Sequence, residues 1–233
     1  MNLFYLKELG AKVGDLLKIG GDNAHHIDRV LRMVAGDALI VSNGRGEWAV
    51  GKIRKISKKE VEIEVSEVGF ENQLENRITV AQALIKSDRA KEAIELLTAS
   101  GVEEIIPWKA VRSIGKDSSK WKITSVESGK QARRFWLPEI AEDHDFKELI
   151  SAAKKFDQIL ICHEAASDPI SKVVKKSNKT LIVIGPEGGL TETEIAELTA
   201  INGKLVRLGR PILRSAHAGI AAVSAASALM GNW

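Results

Sequence analysis

The spacing of apolar positions changes partway along the chain. Before residue 70 they sit in short runs and alternations that predict strands. Residues 37–42 form one apolar run, Asn43-Gly44-Arg45-Gly46 has the make-up of a tight turn, and residues 48–53 return as its partner. Val61-Glu62-Ile63-Glu64-Val65 alternates strictly, as a half-buried strand does. One helix is expected here, over residues 25–34. Its Ile27, Val30, Leu31 and Val34 fall at i, i+3, i+4 and i+7 on one apolar face, and His25, Arg29 and Arg32 share another. The pattern predicts a small β-barrel carrying a basic helix.

Residues 70–76 are polar and acidic and read as a linker. After it, strands alternate with helices. Strands are expected over residues 78–85, 102–106 (closed by Pro107), 158–162, 180–184 and 205–208. Helices are expected over 88–99, 118–135, 146–155, a short stretch from Pro169, and 214–230. In the first of these helices Ala90, Ala93, Ile94 and Leu97 point inward. This alternation argues for an α/β domain with a mostly parallel sheet. The chain thus divides into residues 1–70 and 71–233.

Composition narrows the class. The chain has 233 residues, 44% of them hydrophobic, enough for a sizeable core. No uncharged apolar stretch of membrane-spanning length occurs, and residues 1–10 do not read as a signal peptide. Cys162 is the only cysteine, so an internal disulfide and a multi-cysteine zinc site are excluded; it reads as a small buried apolar residue in a reducing cytoplasm. No spacing suggests a metal. Net charge is only +3, but residues 108–136 hold eight Lys and Arg against two acids, a local +6 that leaves −3 for the rest. Such an excess suits a polyanion partner or a solvated charged face. Trp108, Trp121 and Trp136 fall in or near this segment and read as packing residues rather than base-stacking platforms.

The sharpest chemistry follows the strand at 180–184. Gly185-Pro186-Glu187-Gly188-Gly189-Leu190 leads from it into a helix for which Thr191 and Glu194 form a capping box. Open α/β sheets bind ligands at such carboxyl ends, and glycines there let backbone approach a ligand. A P-loop would need Gly-Lys-Ser/Thr, and a dinucleotide fingerprint would need Gly-x-Gly where Glu187 stands. A second loop, Leu208-Gly209-Arg210-Pro211-Ile212-Leu213-Arg214, also leaves a strand for a helix, one rich in alanine. From the sequence the two strands are expected to be neighbours whose loops wall one pocket. Arg214 falls in the first turn of its helix, where a cation is unfavourable, which hints at another duty.

These two loops and the alanine-rich last helix resemble the SPOUT methyltransferases, and within them the ribosomal-RNA uracil-N3 methyltransferases. The resemblance extends over most of the chain. His26-Ile27-Asp28-Arg29-Val30-Leu31-Arg32 is similar to that family's amino-terminal signature in a PUA-like barrel. Lys86 with 93–112 resembles its first βα unit, and Gln131, Arg133, Pro138 and Glu139 its central segment. One departure stands out: relatives commonly read Leu-Arg-Thr-Glu-Thr-Ala where this chain has Leu213-Arg214-Ser215-Ala216-His217-Ala218, so no role of that glutamate carries over.

The resemblance implies a carboxyl-terminal trefoil knot, a homodimer, and S-adenosylmethionine held by His163, Ile184, Gly185, Pro186, Glu187, Gly188, Leu208, Gly209, Ile212, Leu213 and Arg214. It implies methylation of N3 of a uridine in 16S ribosomal RNA of the small subunit. That nitrogen must lose its proton, and the charge then spreads to two carbonyl oxygens, so the site needs a proton acceptor and a cation. Arg214 is the expected cation; Glu187 and His217 are candidate acceptors, beside a backbone carbonyl or water. His25, Arg29, Arg32, Lys86, Arg133 and Arg134 are expected on the RNA. The stripe Gly219, Ala222, Ala226 is expected at the dimer interface. Another RNA target, or a non-enzymatic RNA-binding protein on the same scaffold, stays open at this point.

Overall fold

The computed structural model describes residues 1–57 and 59–233. One compact unit comprises Met1–Gln73 and Gly129–Leu137; the other comprises Leu74–Ser128 and Pro138–Trp233. The division at residue 70 places 129–137 with the second unit.

The first unit is a curled, PUA-like sheet of β1 (Leu3–Tyr5), β2 (Leu16–Gly20), β3 (Ala38–Ser42), β4 (Glu47–Ile56) and β5 (Glu60–Phe70), in the order β1-β3-β4-β5-β2. β1 runs parallel to β3; the other pairs are antiparallel, and two register shifts between β4 and β5 bend the ribbon. The alternation at 61–65 plays out as expected, with Val61, Ile63 and Val65 buried. Gly44 and Gly46 take φ of +70° and +95° in the β3–β4 turn.

The helix expected over 25–34 does not form as such. The chain makes α1 (Gly21–His25), then a π-helical turn over His26–Val30, closed by the Leu31 N–H donating to the His26 carbonyl at 2.9 Å. Arg32 follows in the left-handed region at φ +51°. A π turn holds more residues than an α turn, so positions spaced for an α-helix lose their common face. Of the expected apolar stripe only Ile27 is buried; Val30, Leu31 and Val34 are exposed. For the same reason His25, Arg29 and Arg32 share no helical face, though all three are exposed.

The helix expected over 118–135 is likewise shorter: α3 is Trp121–Gln131, and Arg133 at φ +51° ends it. Beyond it, tertiary contacts of the first unit outweigh helix propensity. Phe135 stacks on Trp48 with ring centroids 5.4 Å apart, and the Trp136 indole N–H donates to the Glu71 carbonyl at 2.7 Å. The Tyr5 hydroxyl donates to the Arg134 carbonyl at 2.6 Å.

The second unit is a six-stranded, all-parallel sheet of β6 (Arg77–Ala83), β7 (Glu104–Trp108), β8 (Glu139–Ile140), β9 (Gln158–Cys162), β10 (Lys179–Ile184) and β11 (Lys204–Val206). The order is β11-β9-β10-β6-β7-β8. Helices α2 (Ser87–Ala99) and α7 (Ser215–Met230) cover one face; α4 (Phe146–Ala153) and α6 (Glu192–Ala200) cover the other, and a one-turn α5 (Ile170–Val173) packs with α7. Burial on both faces explains the unbroken apolar runs of β6, β9 and β10.

Three expectations need correcting. Pro107 lies inside β7 rather than closing it. Its carbonyl faces the side where β8 has already ended, accepting from the His144 N–H at 2.9 Å, so its missing N–H breaks no ladder. β10 and β11 are not neighbours, because β9 pairs with both. And Gly219, Ala222 and Ala226 are buried within their own chain, where Gly219 faces Leu97 of α2.

Candidate active site

The carboxyl ends of the parallel strands carry every loop singled out from the sequence. At the β9 and β11 ends lies a cleft walled by Cys162, His163 and Glu164 on one side and Leu208, Gly209, Pro211, Ile212 and Leu213 on the other, with Ala218 of α7 behind. It unites five of the expected cofactor residues: His163, Leu208, Gly209, Ile212 and Leu213. Its apolar side chains lack cover: Ile212 is 78% exposed and Leu213 is exposed too. At Gly209 a side chain would meet only Pro211 Cδ, at 3.7 Å, so packing does not demand the glycine; it keeps space in the cleft open. A flat apolar group with polar edges, such as an adenosyl moiety, fits this lining.

Ile184, Gly185, Pro186, Glu187 and Gly188 do not line that cleft; they form the adjacent loop at the end of β10. The loop is pinned from several elements. The Trp108 indole N–H donates to the Ile184 carbonyl at 3.3 Å, and the Ser215 hydroxyl to the Gly185 carbonyl at 2.6 Å. Arg112 donates to the Gly188 carbonyl at 2.9 Å, and a side chain at Gly188 would press on Arg112 Cβ at 3.1 Å. Glu187 is exposed and accepts the Lys86 backbone N–H at 3.4 Å. Trp108 and Trp121 are buried core residues.

Arg214 is the residue before α7, exposed and without an ion pair among the described residues. His217, a candidate proton acceptor, is instead paired with Glu92 of α2 at 2.9 Å. That pairing and Arg89 hold the Glu92 carboxyl below its usual range. Burial pushes the Cys162 thiol, in the cleft wall, up to about 12. Lys86 and Arg133 are exposed, whereas Arg134 is half-buried in the first unit, where burial lowers its guanidinium below the ordinary value despite Tyr5 and Glu71 nearby.

Sequence reasoning missed three contributors. Glu194 was legible as a cap, and both capping-box bonds are present. Its second role, accepting the Val111 backbone N–H at 2.9 Å, had no sequence signal. Arg112 gave only a basic character. Gln82, whose amide donates to the Ser215 hydroxyl at 3.0 Å, could have been found: it is the one polar residue on the face of β6 that it shares with Ile78 and Val80.

The RNA methyltransferase domain matches residues 72–227, and the RNA methyltransferase PUA domain residues 19–66. Ribosomal RNA small subunit methyltransferase E of Bacillus subtilis is 33% identical over 226 residues, 90% of this chain and 88% of the relative. The protein of that name in Mycobacterium tuberculosis is 27% identical over 99% of this chain and 93% of its own. Among solved structures, a Legionella pneumophila protein in complex with the bound cofactor SAM superposes with TM-score 0.88 at 26% identity, covering 97% of this chain and 96% of that one. Ribosomal RNA small subunit methyltransferase E from Neisseria gonorrhoeae, bound to S-adenosyl methionine, shares the fold at TM-score 0.89 and 24% identity, with 98% of each chain covered. With both of its sequence regions matched and a relative of this similarity along nearly its whole length, the chain belongs to the ribosomal RNA small subunit methyltransferase E family.

Proposed function

We propose that this protein uses S-adenosylmethionine to methylate N3 of a specific uridine in 16S ribosomal RNA, in the cytoplasm and as a homodimer. The observation that carries the reading is the cleft between His163 and the 208–213 loop, with uncovered apolar side chains, an open glycine and an exposed arginine one residue beyond it. His163, Leu208, Gly209, Ile212 and Leu213 would hold the cofactor, with the 184–188 loop beside them. When bound, the cofactor supplies an electrophilic methyl group on a sulfonium.

The residues then divide the remaining work. Arg214 faces the negative charge that N3 deprotonation spreads onto the uracil carbonyl oxygens. Glu187, an exposed carboxylate, takes the N3 proton directly or through water. Cys162 stays a neutral thiol at physiological pH, so the cleft wall offers no thiolate to compete for the methyl group. N3 lies on the pairing edge, so the base must be unpaired or flipped out when it reacts. His25, Arg29 and Arg32 in the first unit, Arg133 and Arg134 in the segment that joins it, and Lys86 in the second bind RNA phosphates.

The test is methyl transfer from labelled S-adenosylmethionine to 16S ribosomal RNA and to small subunits, with the modified nucleoside identified by mass spectrometry. N3-methyluridine at one position is the expected product. Cofactor binding with methylation of a different RNA would move the target; RNA binding without cofactor binding would leave a binding protein.

A further inference from the structure

The geometry points to Gln82 and Ser215 as positioning residues that set the 184–188 loop for the cofactor, a role that rests on the cofactor reading above. Ser215 is the first residue of α7, one position past the N-cap residue Arg214, so its hydroxyl is not spent on capping the helix. It donates to the Gly185 carbonyl at 2.6 Å. Its hydroxyl has one proton, so its direction is set by what occupies the acceptor side. That side is filled by the Gln82 amide, whose Nε2 donates to Ser215 Oγ at 3.0 Å. The second Nε2 hydrogen goes to the Ala83 carbonyl at 3.3 Å.

Gln82 is thus spent wholly as a donor, and the arrangement has a cost. Its Oε1 is buried and has no hydrogen-bond partner among the described residues. A buried acceptor left unmet is disfavoured, and a hydrophobic residue of similar shape would pack there without that loss. An amide is needed at this position only for its two N–H groups. The chain Gln82–Ser215–Gly185 ties three elements together: β6, α7 and the loop after β10. It links Arg214, the residue before Ser215, to the glycine loop that bears Glu187. Together with the Trp108 bond to the Ile184 carbonyl, it fixes two successive carbonyls at the loop entrance.

The prediction concerns binding geometry rather than folding. Gln82→Met removes the unmet acceptor, so it should melt within a few degrees of the wild type, yet it leaves Ser215 free to rotate. Ser215→Ala removes the donor to Gly185. Isothermal titration with S-adenosylmethionine should give a Kd about tenfold weaker for each, roughly the worth of one buried hydrogen bond. RNA affinity should be unchanged. Ser215→Thr keeps the hydroxyl and should bind within about twofold of the wild type. A merely structural role would lower the melting temperature and the binding-competent fraction while leaving the Kd intact. Folded Gln82→Met with wild-type Kd overturns the positioning role, whatever Ser215→Ala does. A wild type that binds no S-adenosylmethionine overturns the cofactor reading itself and this role with it.

Discussion

The buried carboxylate of Glu194 accepts the backbone N–H of Val111 at 2.9 Å with Oε1, while its Oε2 accepts the Thr191 N–H at 2.7 Å and the Thr191 hydroxyl at 2.9 Å. One side chain, 1% exposed, therefore caps α6 and anchors the basic loop that carries Arg112 to the Gly188 carbonyl. Glu194→Ala removes the acceptor of two part-buried backbone N–H groups and should cost about 1–3 kcal/mol, measured by urea unfolding. Glu194→Gln keeps one acceptor oxygen and should cost less. Equal and small losses for both would mean the loop re-pairs with water.

Two glycines at the site should behave oppositely. Gly209→Leu projects into open cleft space, so stability should stay within about 0.5 kcal/mol while S-adenosylmethionine affinity falls at least tenfold. Gly188→Val meets Arg112 instead and should act on the basic loop, with a smaller effect on cofactor affinity. Titration calorimetry of both variants decides; full cofactor affinity in folded Gly209→Leu would remove the 208–213 loop from the binding site.

The Cys162 thiol makes stability depend on alkaline pH. Its folded value, about 12, lies above the ordinary 9.0, so the native state holds the proton longer than the unfolded chain does. The contribution is fully present below pH 9 and is lost as pH rises towards 12. Thermal melts should drop across that window, and Cys162→Ala should flatten the drop. Tyr5, whose hydroxyl is also raised by burial, accounts for part of the remainder.

Ala222 is fully buried in the core beneath α7, so Ala222→Phe should overpack it and cost about 1–3 kcal/mol of monomer stability. Sedimentation should show the wild-type association state in whatever fraction stays folded. A folded variant that only dissociates would place the dimer interface on this buried stripe after all.

The basic residues make a salt-dependent prediction. Arg29→Ala, Arg32→Ala and Arg133→Ala together should weaken RNA binding. Its salt dependence should flatten by about one unit of slope for each phosphate that no longer has an arginine beside it. An unchanged slope in filter binding from low to high salt would leave these arginines as solvated surface.

Much of the architecture was legible because period and burial are local. Val61, Ile63 and Val65 announce one buried face, and the continuous runs of β6 and β10 announce two. The sequence alone determined the strand and helix order of the second unit apart from the two-residue β8, along with the turn at 43–46, the cap at Thr191 and the position of the two glycine-bearing loops. It could not rank the strands: β9 enters between β10 and β11 through pairings between distant segments, which no spacing records. It misjudged residues 25–34 and 132–135, where a π turn and left-handed arginines outweigh α-helical periodicity. Nor could it tell that the small-residue face of α7 is inward, since alanine suits a close approach within one chain as well as between two. The bonds from Glu194 to Val111 and from Ser215 to Gly185 join positions 83 and 30 residues apart. Only tertiary structure brings such partners together, because a hydrogen bond is a matter of ångströms in space and leaves no period along the chain.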